Sequence, residues 1–104
     1  MSGGWVYIMT NRPNGTLYVG VTSDLSRRIA QHRSGAVSSF TRKYGVYILV
    51  YAEFHDTMED AMLRERHIKK WRRAWKLDLI ERHNPQWRDL YEDFTNAPPP
   101  TFIR

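Results

Sequence analysis

The sequence contains no cysteine, so neither a disulfide framework nor a thiolate metal site can hold it together. A reducing, cytoplasmic setting is the expectation that follows. Long hydrophobic runs are missing too: the longest, Val46-Tyr47-Ile48-Leu49-Val50-Tyr51-Ala52, has seven residues, whereas a membrane span needs about 20. No secretory segment is expected, because strand-like sequence begins almost at the first residue. Acid is scarce relative to base, with 11 Asp and Glu beside 16 Lys and Arg and a net charge of +5. Such a balance favours a polyanionic partner, nucleic acid above all. The four histidines (His32, His55, His67, His83) lack HExxH spacing, and there is no Walker A loop, GxSxG elbow or GxGxxG turn. Zinc hydrolase, nucleotide-binding and serine-hydrolase readings therefore have no foothold.

What is present fits one domain, residues 1–94, followed by a proline-rich tail at 95–104. Gly4–Thr10 and Thr16–Val21 are rich in β-branched and aromatic residues and flank the turn formers of Asn11–Gly15, which predicts a β-hairpin. With an Asn11–Asn14 loop and Thr10 opposite Gly15, Tyr7 falls opposite Tyr18 on one face; a loop one residue longer or shorter would separate them. Thr22 or Ser23 is the expected cap of a helix running to Arg33, closed by Ser34-Gly35. On it Arg28 and His32 share the inward stripe of Leu25 and Ile29, while Arg27 points about 100° away. Ser38–Tyr44 reads as a short helical turn and Val46–Phe54, almost wholly apolar, as a third strand covered on both faces. His55–Asp60 starts a long helix whose buried stripe is expected to be Ala61, Glu65, Ile68, Trp75 and Leu79, with a possible break near Trp71–Ala74. Asn84-Pro85 ends it, and Trp87–Tyr91 is expected to be a further short helix docking Trp87 and Leu90. The fold class predicted is α+β, a three-stranded antiparallel sheet flanked by helices.

Each chemically suggestive residue also has an ordinary reading. Arg28 and His32 suit the C-terminal end of any helix, Glu65 could pair with Lys69 at i,i+4, and Tyr7 and Tyr18 could be cross-strand packing. Seven cations between Arg64 and Lys76 with Glu65 as the sole acid suit a phosphate backbone better than water. Trp71 and Trp75 read as core or an exposed ridge rather than base-stacking platforms. Two tyrosines, an arginine, a histidine and one carboxylate on inward faces of a basic domain suit phosphodiester hydrolysis. One carboxylate can hold a hard cation such as Mg²⁺, and an arginine can offset charge on the phosphoryl oxygens.

Trp5-Val6-Tyr7, Tyr18-Val19-Gly20, Arg28, His32 and a later helical glutamate together resemble the GIY-YIG endonuclease domain, particularly its small stand-alone bacterial members. The likeness spans roughly residues 4–91, including the Ile-Lys-Lys-Trp-Arg-Arg run and Asn-Pro-Gln-Trp. It implies that Tyr7 and Tyr18 line the site and one helps activate water, that Arg28 stabilises the transition state, and that His32 orients or exchanges protons. It further implies that Glu65 ligates Mg²⁺ or Mn²⁺, and that Asn84 corresponds to an asparagine some members keep near the site. Arg27, Arg42, Lys43, Lys69, Lys70, Arg72 and Arg73 are the cations expected to meet nucleic acid. Two positions depart from the pattern: Trp5 stands where many members have glycine, and Val21 where several have lysine. Losing that lysine removes a phosphate contact or a pKa-lowering neighbour for a tyrosine, so the expectation is either slow activity or a larger share of water activation by the metal.

The expected activity is thus metal-dependent endonucleolytic cleavage, of DNA in preference to RNA, by recognition of backbone shape or branching, in repair or recombination. The alternatives are a nucleic-acid-binding module on the same scaffold that does not cut, and an interaction domain whose tryptophan-rich C-terminal half docks a protein. The oligomeric state stays open.

Overall fold

Alternating, β-branched sequence at the N-terminus forms the hairpin expected. In a computed structural model describing residues 3–35 and 39–94, β1 (Gly4–Thr10) pairs antiparallel with β2 (Leu17–Thr22). The loop is two residues longer than predicted, and Thr10 pairs with Leu17 rather than Gly15. Asn11 explains the difference: its Oδ1 accepts the Thr16 N–H at 3.0 Å, so a side chain closes the loop where a strand pair would otherwise form. Tyr7 consequently faces Gly20 instead of Tyr18. A shift of two residues preserves the face, so both tyrosines still stand on the same side of the sheet.

β3 (Ile48–His55) takes the other edge of β1, which gives an antiparallel sheet of order β2-β1-β3. Its register slips between Ile8 and Met9, where Tyr51 opposes Ile8 but Leu49 opposes Met9. The extra residue, Val50, sends consecutive side chains Val50 and Tyr51 into the same core cluster.

Helices cover both faces. α1 (Leu25–Arg33) buries Leu25 and Ile29 with Tyr7, Met9, Leu49 and Ala52. A short α2 (Ser39–Tyr44) follows it; Ser38 of the predicted turn lies outside the described residues, as does the predicted tail. α3 (Met58–Lys70) and α4 (Arg73–His83) bury Ala61, Ile68, Leu79 and Ile80 against Val6, Ile8 and Val19 on the opposite face. Asp24, not Thr22 or Ser23, caps α1, accepting the Arg27 N–H at 3.3 Å; Thr22 instead accepts the Asp24 N–H at 3.1 Å and so shapes the cap. Gly35, at φ +77°, lets the chain leave α1 through a left-handed turn.

The long helix breaks. Trp71 and Arg72 are extended (ψ 149° and 156°), which separates α3 from α4 and resets the helical phase. Trp75, expected on the buried stripe, is therefore 53% exposed. The predicted helix at Trp87–Tyr91 does not form, because Trp87 adopts φ +56°; a 3₁₀ turn occupies Tyr91–Phe94 instead. Trp87 and Leu90 are nonetheless buried. Asn84 anchors this segment, donating through Nδ2 to the carbonyls of Val50 (3.1 Å) and Arg88 (2.8 Å) and accepting the Arg88 N–H (3.0 Å).

Candidate active site

The hairpin and α1 bring three aromatic rings together. Tyr7 leaves the central strand towards α1, and its hydroxyl lies 2.9 Å from Nε2 of His32, which is wholly buried. Tyr18 leans on the same pair, its ring 6.3 Å from that of Tyr7 and 5.0 Å from the imidazole. Gly20 makes room: a Cβ there would overlap the Tyr7 Cζ and hydroxyl. The glycine of Tyr18-Val19-Gly20 is thus a packing requirement of the tyrosine across the hairpin.

Electrostatics set the protonation states. Burial, then the neighbouring Tyr18, pushes the Tyr7 phenol well above its ordinary range; Glu65 adds to the rise and Arg28 opposes it. Burial, then Arg28, lowers His32 to about 4. At neutral pH both are uncharged. Nδ1 of His32 is buried with no hydrogen-bond partner among the described residues. A bare lone pair there is cheaper than an orphaned N–H, so the proton belongs on Nε2, donating to Tyr7, whose own O–H turns towards Tyr18.

Arg28 sits half-buried on the inward stripe of α1, while Arg27 is exposed. Glu65 arrives from the other layer. Its helix lies across β1 and the edge strand β2, and its charge reaches Tyr7. The carboxylate is buried and accepts an ion pair from Lys69, Nζ to Oε2 2.7 Å. Tyr7, Tyr18, Arg28 and His32 therefore form one group, and Glu65, carried by the other layer, bears on it through its charge at Tyr7. Asn84 is not drawn into it by any of its three side-chain hydrogen bonds among the described residues, all of which go to backbone of the C-terminal segment and β3.

The cations divide. Arg27 and Lys70 stand exposed. Arg42 donates to the Gly35 carbonyl at 2.9 Å, and Lys43 lies over the Tyr44 ring. Arg73 donates to the carbonyls of Asn14 and Gly15, both at 2.7 Å, and so fastens the hairpin loop to α4. Arg72 covers Trp75, and Arg64 binds Glu53.

That last pair belongs to a network that sequence reasoning missed. Glu53, 4% exposed, accepts from Tyr51, from Arg64 Nε at 2.9 Å and from His55 Nε2 at 2.6 Å. Burial alone would raise its pKa, but the bonds from Tyr51, Arg64 and His55 hold the carboxyl below its ordinary value. A glutamate in the middle of an otherwise apolar strand was the available signal.

A three-stranded α+β sandwich whose hairpin and first helix converge two tyrosines, a histidine and an arginine, with a glutamate from a third element, defines the class. The GIY-YIG catalytic domain matches residues 3–78, and the chain belongs to that family, which makes it a member of a nuclease superfamily. It is 37% identical over 81 residues to a UPF0213 protein of Staphylococcus haemolyticus, covering 78% of this chain and 98% of that one. Similarity to a UPF0213 protein of Clostridium perfringens is 41% over 76 residues, 73% of this chain and 81% of the relative. The solution structure of a UPF0213 protein from Bacillus halodurans matches with a TM-score of 0.53 at 30% identity, over 86% of this chain and 95% of that one. Among the described residues no helix is long and apolar enough to cross a membrane.

Proposed function

We propose that the chain is a metal-dependent endonuclease that hydrolyses phosphodiester bonds, of DNA in preference to RNA. The observation that carries this reading is the convergence of Tyr7, Tyr18 and His32 beside Arg28, with the charge of Glu65 felt at Tyr7. Arg28 draws a phosphate to this cluster and offsets the charge that builds on its oxygens. His32, neutral and buried, holds the Tyr7 hydroxyl in place. Tyr18 stands at the half-buried end of the chain of hydroxyls, where it orients the attacking water. The water oxygen bonds to phosphorus as the bond to the departing sugar oxygen breaks; the proton shed by the water leaves past Tyr18 to solvent, and the departing oxygen takes up a proton from solvent to leave as a hydroxyl.

The donor set suits Mg²⁺ or Mn²⁺. Among the described residues no three His, Cys, Asp or Glu side chains gather as a metal cage. A lone buried carboxylate fits a hard cation that keeps most of its waters, and Glu65 would hold it. Bound, the ion supplies a lowered pKa for attacking water and positive charge for the phosphoryl oxygens. That help matters here, since a protonated phenol and an imidazole titrating near 4 are poor bases at neutral pH.

One contact favours the non-cleaving alternative: Lys69 already pairs with Glu65 and competes with any cation there. Incubation with supercoiled, branched and single-stranded DNA and with RNA, in Mg²⁺ or Mn²⁺, separates the two. Cleavage that chelation abolishes, and that Arg28→Ala and Glu65→Gln each slow by roughly 10²–10³-fold, is the expected result. Cleavage surviving both substitutions overturns the site assignment. Binding of every substrate without cutting favours the alternative. A role in repair or recombination rests on a preference for branched substrates in the same assay.

A further inference from the structure

The break at Trp71-Arg72 leaves a groove of about 380 Å³ between α3 and α4, lined by Arg64, Trp71, Trp75, Asp78, Leu79 and Arg82. Its aromatic walls meet nearly at a right angle, Trp71 and Trp75 being 6.1 Å apart at 78°. Trp75 is the most exposed large hydrophobic side chain among the described residues. Each indole has a guanidinium over it at 5.1 Å, Arg64 on Trp71 and Arg72 on Trp75. The Arg64 arrangement is built rather than incidental. Its Nε and Nη2 are held by Glu53 at 2.9 and 3.3 Å, and Glu53 is itself buried and held by Tyr51 and His55. The wall next to Trp71 is therefore preorganised before anything binds.

The chemistry of this corner selects its occupant. Against Arg64, Arg72 and Arg82 stand two acids, Glu53 on Arg64 and Asp78 on Arg82, so a net positive charge remains beside Trp75. An apolar protein partner would meet charge around two indoles and a leucine. An unpaired base offers a π face to the indole while its flanking phosphates meet the guanidinium groups. Arg64 and Glu65 are consecutive on α3, so their side chains lie about 100° apart around the helix. The groove and the Glu65 carboxylate are thus carried by the same helix.

We propose that the groove between α3 and α4 holds an unpaired base of a nucleic-acid strand, stacked on Trp75, with the exposed Arg72 and Arg82 drawing the adjacent phosphates while Arg64, held by Glu53, fixes the Trp71 wall. This rests on the reading of the chain as a phosphodiesterase, and it deepens that reading by giving the substrate a single-stranded segment.

The test measures binding of fluorescein-labelled oligothymidine by anisotropy, in chelator so that nothing is cut, beside an abasic phosphodiester strand of equal length and charge. Wild type is expected to bind the thymidine strand about tenfold more tightly than the abasic one. Trp75→Ala should bind both alike, and Trp75→Phe should retain most of the preference. An oligouridine strand run in parallel distinguishes RNA from DNA, and base-dependent binding of either supports the proposal. Equal wild-type affinity for strands with and without bases overturns it, as does a preference that survives Trp75→Ala. Base preference without cleavage in the nuclease assay would sink the catalytic reading alone; cleavage without base preference would sink this one alone.

Discussion

His32 shows how burial chooses a role for a residue type that could have had several. On an exposed helix end it would titrate near neutrality. Here enclosure and the Arg28 charge lower it to about 4 and keep the ring neutral against Tyr7. The linkage sign follows. Between about 6.5 and 4 the unfolded chain binds a proton at His32 that the folded one refuses, so this contribution is complete above pH 6.5 and lost as pH falls towards 4. It amounts to a few kcal/mol, a tenfold change in proton affinity being worth about 1.4 kcal/mol. Urea unfolding across pH 4–7 should show that fall, and His32→Gln should flatten it. An imidazole found by NMR to titrate at about 6 or above would refute the assignment. The Glu53 carboxylate contributes in a separate window: with its pKa held down it adds stability above its ordinary value near 4.5, lost as acid protonates it.

At the scale of elements, the hairpin positions the site through a close approach of glycine and ring. Gly20→Ala places a methyl where the Tyr7 ring and hydroxyl sit, and Tyr7 is enclosed on a central strand with little room to retreat. A loss of about 1–3 kcal/mol is expected, read as a lowered Tm, together with cleavage falling further than the stability loss explains. Unchanged Tm and rate would show that the ring has space to move. The same hairpin marks what the sequence carries openly. Alternation and turn formers specify β1 and β2, and the face shared by Tyr7 and Tyr18 survives the longer loop because the shift was even. The spacing of Leu25, Arg28, Ile29 and His32 specifies α1, and Ala61, Glu65 and Ile68 specify α3. Periodicity fails at Trp75 because two extended residues reset the phase, and at Trp87 because a left-handed backbone is invisible in a tryptophan. The Glu53 network stayed hidden for another reason: Tyr51 and His55 flank Glu53 at strand spacing on β3, but Arg64 comes from α3, and only the tertiary structure joins it to them.

Across the whole molecule the positive charge is not one undifferentiated coat. The sheet order puts α1 on one face and α3 with α4 on the other, so the basic run between Arg64 and Lys76 spans the break between two helices and its members meet different neighbours. Arg64 and Arg73 serve the fold, one on buried Glu53 and the other on the hairpin loop, whereas Lys70 is exposed at the end of α3. Net charge alone cannot separate these duties, but salt can. A cation that neutralises a phosphate releases about 0.7–0.9 of a counterion and sets the slope of log K against log salt. Lys70→Ala should therefore lower that slope by just under one with Tm unchanged. Arg73→Ala should do the reverse: two carbonyl bonds are lost at a partly exposed site, at about 1 kcal/mol, so Tm falls while the salt slope holds. If both variants shift the slope equally and leave Tm alone, Arg73 faces nucleic acid as the sequence first implied, and its hold on the hairpin loop is incidental.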